Sequence, residues 1–560
     1  MQTLSPFQLL PLHVVEMVVD HIAGTRRRIF AGYDDYDEQA TLQMPLLWVC
    51  RSFRAVVYSR FSRYHGFGLD SGMNTIILTR CSWPFHLEQA NYQTPHLTKD
   101  LEIEVDIWSI YSGKSSELLS NVPNKDLVFP LVRSLSFLFI VSTLRNQIVT
   151  TSMQNVDTNI SEFVLRIKRM VPLATEIKIE TTTYSHDVHP SICHHFTSLV
   201  SQLYQLTECV ARRSLCCAVP FWQQSDLVSS ITHFGDQDYN ISESIMQLVR
   251  QSALTLQTLD ISLEESDVTG LIQDANGGYI CYSHLQTLYL TMLSNCTDVP
   301  RLMFTGATPF PILRRLKISD QYPFGDDTPL KSNAGTLEFL KINIDAESVK
   351  AFTRHNVFTP VSHPKLQCVK IGLMPNLASE HFGSEDACMQ FILGIAPNAS
   401  VLEIIGIHCD QGLPDALPLL YNHAQIQVLE LPTIDINIWD AITLIKLLPA
   451  LSDLRTMAPT LDHVPTDTTL LKLPMYVLST YGIINERFWC WNLNMRRASI
   501  PKGTARCVLL LALTCPSLDF VLPPVARHAT FTSQMRRLIA TNGFKKYEPR
   551  LQRLLFDRLR

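Results

Sequence analysis

PFPILRRLKIS, residues 309–319, places Leu313, Leu316 and Ile318 in the order apolar, two residues, apolar, one residue, apolar, with Pro311 just upstream. Its last two apolar positions alternate as a half-buried strand requires. The same hexapeptide recurs as LQTLDI (256–261), LQTLYL (285–290), LEFLKI (337–342), LQCVKI (366–371), LEIIGI (402–407) and IQVLEL (426–431). Weaker copies are TKDLEI (98–103), VRSLSF (132–137), ATEIKI (174–179), LSDLRT (451–456) and LDFVLP (518–523). Pro, Ser, Asn or His often precedes the strand, as in SHPKLQCV.

Most neighbouring copies are spaced by about 24 to about 50 residues, around the leucine-rich-repeat period of roughly 20 to 29. Between them lie segments with helical periodicity. ISESIMQLVRQS (241–252) sets Ile245, Leu248 and Val249 on one side, and EDACMQFILGI (385–395) and WDAITLIKLL (439–448) behave alike. Ser384 and Asp440 are candidate caps. Strand, turn, helix and turn, repeated, predict an α/β fold: a right-handed, leucine-rich-repeat-like solenoid with parallel strands on its concave face and helices outside. The competing reading is an ordinary α/β domain in which the hexapeptides are coincidental.

Upstream, LLPLHVVEMVVDHIAG (9–24) puts Val15, Val18, Val19 and Ile22 on one helical face, with Pro11 in the first turn and Gly24 at the stop. A helix this short needs its apolar stripe buried. MPLLWVCRSFRAVVYSRF (44–61) carries a second stripe of Leu46, Val49, Cys50, Phe53 and Val57, with Arg51, Arg54 and Arg60 largely off it. Together they predict a compact all-α module over residues 1–65, ahead of a solenoid over 66–525 and a basic capping region over 526–560.

The two stretches resemble the F-box, which opens on Leu-Pro, runs through an aliphatic helix and continues with a Val-Cys-basic-x-aromatic helix. The matching positions are Leu10, Pro11, Val14, Val15, Val18, Ile22, Val49, Cys50, Arg51, Phe53 and Arg54. Phe53 stands where the family usually has Trp, and TRRRIFAGYDDYDEQAT (25–41) is longer than a typical F-box insert. The chain as a whole resembles fungal F-box-like proteins with divergent leucine-rich repeats. The resemblance implies that Leu10, Pro11, Val14, Val15, Val18, Ile22, Val49, Cys50 and Phe53 dock onto the adaptor of a cullin-RING ubiquitin ligase, while the repeats hold a protein substrate. Read from the residues alone, the same helices either bind a partner or cap the first repeat.

With 46% hydrophobic and 18% charged residues, the 560-residue chain has the makings of a large folded core. A net charge of −5 argues against a globally basic nucleic-acid binder. There is no basic n-region leading into an apolar core, and SFLFIV near 136 and VLLLAL near 508 fall far short of the roughly 18–20 residues that span a bilayer. These features predict an intracellular protein of the cytoplasm or nucleus, with its 14 cysteines mostly reduced.

In each hexapeptide the residue between the last two apolar positions points away from the core. Down the array these are Asp260, Tyr289, Lys317, Lys341, Lys370, Gly406 and Glu430. Three consecutive lysines at about 4.8 Å strand spacing, with Arg315 beside the first, predict a concave-face site made of Tyr289, Arg315, Lys317, Lys341 and Lys370. Its ligand would be an acidic or phosphorylated protein segment. The plainer alternative is lysine stems lying on the sheet with solvated heads.

HDVHPSICHH (186–195) lacks a partner pair with metal-site spacing and, with Pro190, reads as a surface loop. Adjacent Cys216 and Cys217 read as buried thiols. PRLQRLLFDRLR (549–560) sets Leu551, Leu554, Leu555 and Leu559 on one face of a C-terminal capping helix. HGFGLDSG (65–72) has its third glycine one residue late for a dinucleotide fingerprint, and no phosphate loop, nucleophile elbow or HExxH string occurs. No catalytic residue, cofactor or metal is expected.

Overall fold

In the computed structural model the described residues are 64–70, 75–77, 100–113, 128–141, 155–183, 190–207, 210–216, 231–235, 243–263, 265–273, 278–292, 309–319, 335–344, 362–373, 392–405, 423–431, 438–457, 490–494, 519–521 and 536–540, with single positions 333, 420, 509, 515 and 533. The chain divides into two compact units, Met1–Ser262 with Gly270–Leu285, and Leu263–Thr269 with Gln286–Arg560.

The first unit contains β1 (Tyr64–Asp70), β2 (Thr75–Ile77), β3 (Asp100–Asp106), β4 (Ser134–Val141), β5 (Glu176–Thr183), β6 (Arg212–Cys216), β7 (His233–Gly235) and all but the last residue of β8 (Thr258–Leu263). β2 is antiparallel to β1, and β1 is parallel to β3. From β3 to β8 each strand pairs in parallel with the next one in the chain. The second unit continues in the same manner through β9 (Thr287–Met292), β10 (Arg315–Ser319), β11 (Phe339–Ile344), β12 (Cys368–Leu373), β13 (Val401–Ile405), β14 (Val428–Leu431), β15 (Asp453–Met457), β16 (Cys490–Asn494) and β17 (Asp519–Val521). Sequential parallel pairing of this kind is what a repeat array produces.

Helices occupy several of the connections: α1 (Ile107–Tyr111), α2 (Val156–Met170), α3 (Pro190–Tyr204), α4 (Glu243–Gln251), α5 (Glu265–Ile272) and α6 (Ile438–Leu447). α2 buries Val156, Ile160, Phe163, Val164, Ile167 and Met170, the stripe expected of a helix packed on one side. α4 buries Ile245, Leu248 and Val249 as its periodicity predicts. Asp440 sits in the first turn of α6 rather than before it. The histidines at 194 and 195 lie on α3, which begins at Pro190, so the loop reading of this stretch is corrected. A helix accepts proline in its first turn, where no intrahelical N–H is needed. His195 Nδ1 lies 3.1 Å from the Asp157 carboxylate of α2.

One turn is used repeatedly to launch the strands. In FPLV (129–132), VPLA (171–174), HPKL (363–366), APNA (396–399) and LPAL (448–451) the fourth residue's N–H donates to the carbonyl of the first, at 2.9–3.4 Å. Proline at the second position presets the φ that such a turn needs. The first residue is buried in every copy, as Phe129, Val171, His363, Ala396 and Leu448. Each turn is then tied to the previous copy. The Gln286 carbonyl accepts from the N–H groups of Arg314 and Arg315 at 2.8 and 2.9 Å, and the Gln367 carbonyl from those of Ser400 and Val401, both at 2.9 Å.

The inner face of the second unit is a stack in register. Leu288, Leu316, Leu340, Val369, Leu402, Leu429 and Leu454 form one row, and each is at most 1% exposed. Burying a side chain of this size contributes about 1.5–3 kcal/mol.

Three features depart from the hexapeptide reading. The hexapeptide pattern has no copy at β6, β7 or β16. In β6 the second apolar position is Arg213, whose Nε donates to the Tyr204 carbonyl at 3.4 Å. Between β6 and β7 the frame shifts by two residues, so that Leu215 aligns with Phe234 and then Leu259. A two-residue shift keeps every side chain on its own face, whereas a one-residue shift would invert them. The third departure is in β13: Lys370 aligns with Glu403, so the frame there is ASVLEI (399–404), three residues earlier than LEIIGI. Gly406 therefore does not belong to the outer row, and it lies outside the described residues.

Candidate binding face

The outer row of the second unit reads, in register, Tyr289, Lys317, Lys341, Lys370, Glu403, Glu430 and Arg455. The predicted Tyr289, Lys317, Lys341 and Lys370 are thus neighbours on successive strands. Arg315 lies on β10, two residues before Lys317, and its register partners are Thr287 and Phe339. All seven residues of the row are partly exposed, while the residues that alternate with them are buried.

The charges of the row are not equivalent. Lys370 Nζ is 2.5 Å from Glu403 Oε2, with side chains 30% and 13% exposed. Arg455 Nη1 is 2.9 Å from Glu430 Oε2. The two glutamates are register partners, yet each turns away from the other toward a cation on its far side. Like charges directly opposite are otherwise destabilising. Burial by itself would lower the Lys370 pKa, but the Glu403 hydrogen bond and the charges of Glu403 and Glu430 raise it above the ordinary value, so this ammonium stays charged. Burial also pushes the neighbouring Cys368 thiol up.

On the other side, Lys317 Nζ sits 5.3 Å from the centre of the Tyr289 ring, and the Arg315 guanidinium 5.0 Å from that of Phe339. Cation–π contacts at exposed sites contribute about 0.5–1 kcal/mol and leave the cation its full charge. Lys341, between Lys317 and Lys370, is held by no carboxylate among the described residues. Two unit charges ~4 Å apart in water repel by about 1 kcal/mol. That is small beside the inner-row burial, so the fold tolerates this concentration of lysine.

Two further residues shape the face. An added Cβ at Gly372 would come within 2.2 Å of Asn343 Oδ1, so the glycine makes room for the Asn343 side chain lying over it. Phe339 and Glu403 were not among the predicted site residues. Phe339 occupies the outer position before Lys341 in LEFLKI, and Glu403 was hidden by the three-residue error of frame.

Leu10, Pro11, Val14, Val15, Val18, Ile22, Val49, Cys50 and Phe53, the positions expected from the resemblance to dock an adaptor, lie outside the described residues, as do Ser384, Cys217, His186, His189, Leu551, Leu554, Leu555 and Leu559. Cys216 is half-buried rather than fully buried, so the buried-thiol reading is corrected at this position. Among the described residues no group of three or more His, Cys, Asp or Glu side chains could hold a metal ion, and no helix is long and apolar enough to cross a membrane.

No model of a known protein family matches the sequence, and no curated protein matches it. A chain from the crystal structure of the Rad7 and Elc1 complex in yeast aligns with 88% of this chain and 91% of its own, at 11% identity and a TM-score of 0.32. A likeness at that level carries no weight for fold or function.

Proposed function

We propose that this chain is a non-catalytic recognition subunit, built as a leucine-rich-repeat-like solenoid whose outer strand row holds a segment of a partner protein. The observation that supports this most is the in-register row from Tyr289 to Arg455. Its inner neighbours are committed to the core, and its outer side chains present concentrated, sign-segregated charge. Side chains that contribute little to packing, yet are arranged by the sheet, are suited to recognition. The segment it holds is acidic, by complementarity to Arg315, Lys317 and Lys341.

The finer reading rests on the sequence resemblance at Leu10, Pro11, Val14, Val15, Val18, Ile22, Val49, Cys50 and Phe53. In it the N-terminal helices join the bound protein to the adaptor of a cullin-RING ubiquitin ligase. The purified full chain is expected to capture a purified adaptor subunit, and a chain lacking residues 1–65 is expected to lose it. Equal capture by both chains overturns the ligase reading and leaves an interaction scaffold whose first helices cap the array.

A further inference from the structure

We propose that Glu403 sets the anion-binding capacity of the outer row by withholding Lys370, so that an acidic protein segment is held by the two-strand patch of Arg315, Lys317 and Lys341. The inference rests on the reading that this face holds such a segment, and it adds which cations do the holding and what limits them.

By register alone the three lysines are equal, at one row position on β10, β11 and β12. Their surroundings separate them. Lys370 is already in a charge-assisted contact of 2.5 Å with a carboxylate that is only 13% exposed. A ligand carboxylate reaching Lys370 has to displace Glu403, leaving that carboxylate largely buried without a partner, which costs more than the exchange returns. It would also approach Glu403 and Glu430 together, and like charges set that close repel.

Among the described residues Lys341 and Lys317 have no such competitor. Their charges are directed from two adjacent strands, with the Arg315 guanidinium on the same strand as Lys317. Tyr289 and Phe339 lie beneath Lys317 and Arg315, which limits the room in which those long side chains move. Glu403 thus acts as a tethered stand-in for a ligand acid at the third lysine. It closes one end of the cationic patch and fixes the direction in which an acidic segment lies across the strands. In this role Glu403 is a specificity-determining residue.

The test uses the full chain and a fluorescein-labelled octaglutamate peptide, read by fluorescence anisotropy. Thermal unfolding of each variant checks that it is folded. Lys341→Gln is expected to weaken binding about tenfold, the value of one charge-assisted hydrogen bond. Lys370→Gln, which still donates to Glu403, is expected to change it by less than about twofold, since it removes a cation already neutralised. Glu403→Gln, nearly the same shape, is expected to tighten binding several-fold and to steepen its salt dependence, because one more lysine then takes part.

The decisive comparison is the double variant Lys370→Gln with Glu403→Gln against Lys370→Gln alone, across which the gain from Glu403→Gln must vanish. A gain that persists means only that a negative charge was removed, and it overturns the proposal. So does a loss from Lys370→Gln as large as that from Lys341→Gln. If the unaltered chain does not bind octaglutamate, the acidic-ligand reading of the whole face fails instead. Preference for a uridine octanucleotide over the peptide would overturn the ligand class.

Discussion

The outer rows of the two units can be set side by side because their inner rows follow one rule. In the first unit, positions corresponding to the lysine row hold Glu102, Ser136, Lys178 and Ser214 and, after the two-residue shift of frame, Gly235 and Asp260. The one lysine there contacts Glu180 on its own strand. In the second unit three lysines run together and two glutamates follow. Leu135, Ile177 and Leu259 inside the first unit, like Leu316, Leu340 and Val369 inside the second, are buried aliphatic residues. Inside, the demand of packing makes the repeats converge. Outside, little is at stake for stability, so the rows diverge and carry what distinguishes this molecule.

The largest expected effect breaks that comparison from within. Leu340→Ala removes a fully buried side chain from the inner row and is expected to destabilise the second unit by about 2–5 kcal/mol. Lys341→Ala, the next residue, should stay within about 0.5 kcal/mol of the parent. Denaturant midpoints of the two variants measure the contrast directly. Similar losses at both positions would mean that the outer row is structural and that the division into packing and recognition faces is wrong.

The same contrast explains what could be read from the sequence. The inner pattern was legible wherever aliphatic residues fill it, as from LQTLYL to LQCVKI, because burial selects for those side chains at fixed spacing. It failed where another interaction replaces burial. Arg213 sits at an apolar position of β6 with its Nε on the Tyr204 carbonyl, so β6 carries no aliphatic copy of the pattern. It failed again in β13, where Ile405 follows Ile404 and Ala399 holds the first inner position. Two overlapping frames were open there, and register, which depends on hydrogen bonds between distant copies, was needed to choose. The lysine alignment was legible because it follows from the frame. The Lys370–Glu403 pair was not, since Glu403 lies on β13, the strand where the frame is lost.

A smaller effect is expected where a side chain substitutes for a backbone partner. Asn333 is fully buried, and its Oδ1 accepts from the Leu313 N–H at 3.2 Å, while its backbone carbonyl accepts from the N–H groups of Thr336 and Leu337. At the other turns the N–H equivalent to that of Leu313 is satisfied within its own copy, as Leu366 is by His363 at 3.0 Å. Asn333→Ala leaves the Leu313 N–H buried without that acceptor and is expected to cost about 1–3 kcal/mol. The loss should be read by denaturant unfolding beside Leu340→Ala, and a neutral result would show that the asparagine merely fills space.

The smallest effect at neutral pH is also the one that grows with acid. His363 holds the turn position that is Phe in FPLV and FPIL and Leu in LPAL. It is 1% exposed, with a buried Nδ1 that meets no hydrogen-bond partner among the described residues. Burial holds its pKa below the ordinary 6.5. His423 is shifted the same way by burial, and His233, by burial and the nearby Arg212 charge, is lowered to about 4. Because the folded forms refuse the proton that the unfolded chain accepts, the stability associated with these histidines is fully present above about pH 6.5 and is lost as pH falls. For His233 the loss runs until about pH 4, where the folded form is protonated as well. His363→Leu is expected to be neutral or to stabilise by up to about 1 kcal/mol at pH 7.5, since it removes an unsatisfied buried nitrogen. Between pH 6.5 and 5 it should flatten the decline in the denaturant midpoint, by up to about one proton taken up on unfolding. An unchanged pH slope would show that His363 accepts its proton in the folded state, and the turn it opens would then have to yield to water in a way that the Phe and Leu copies do not.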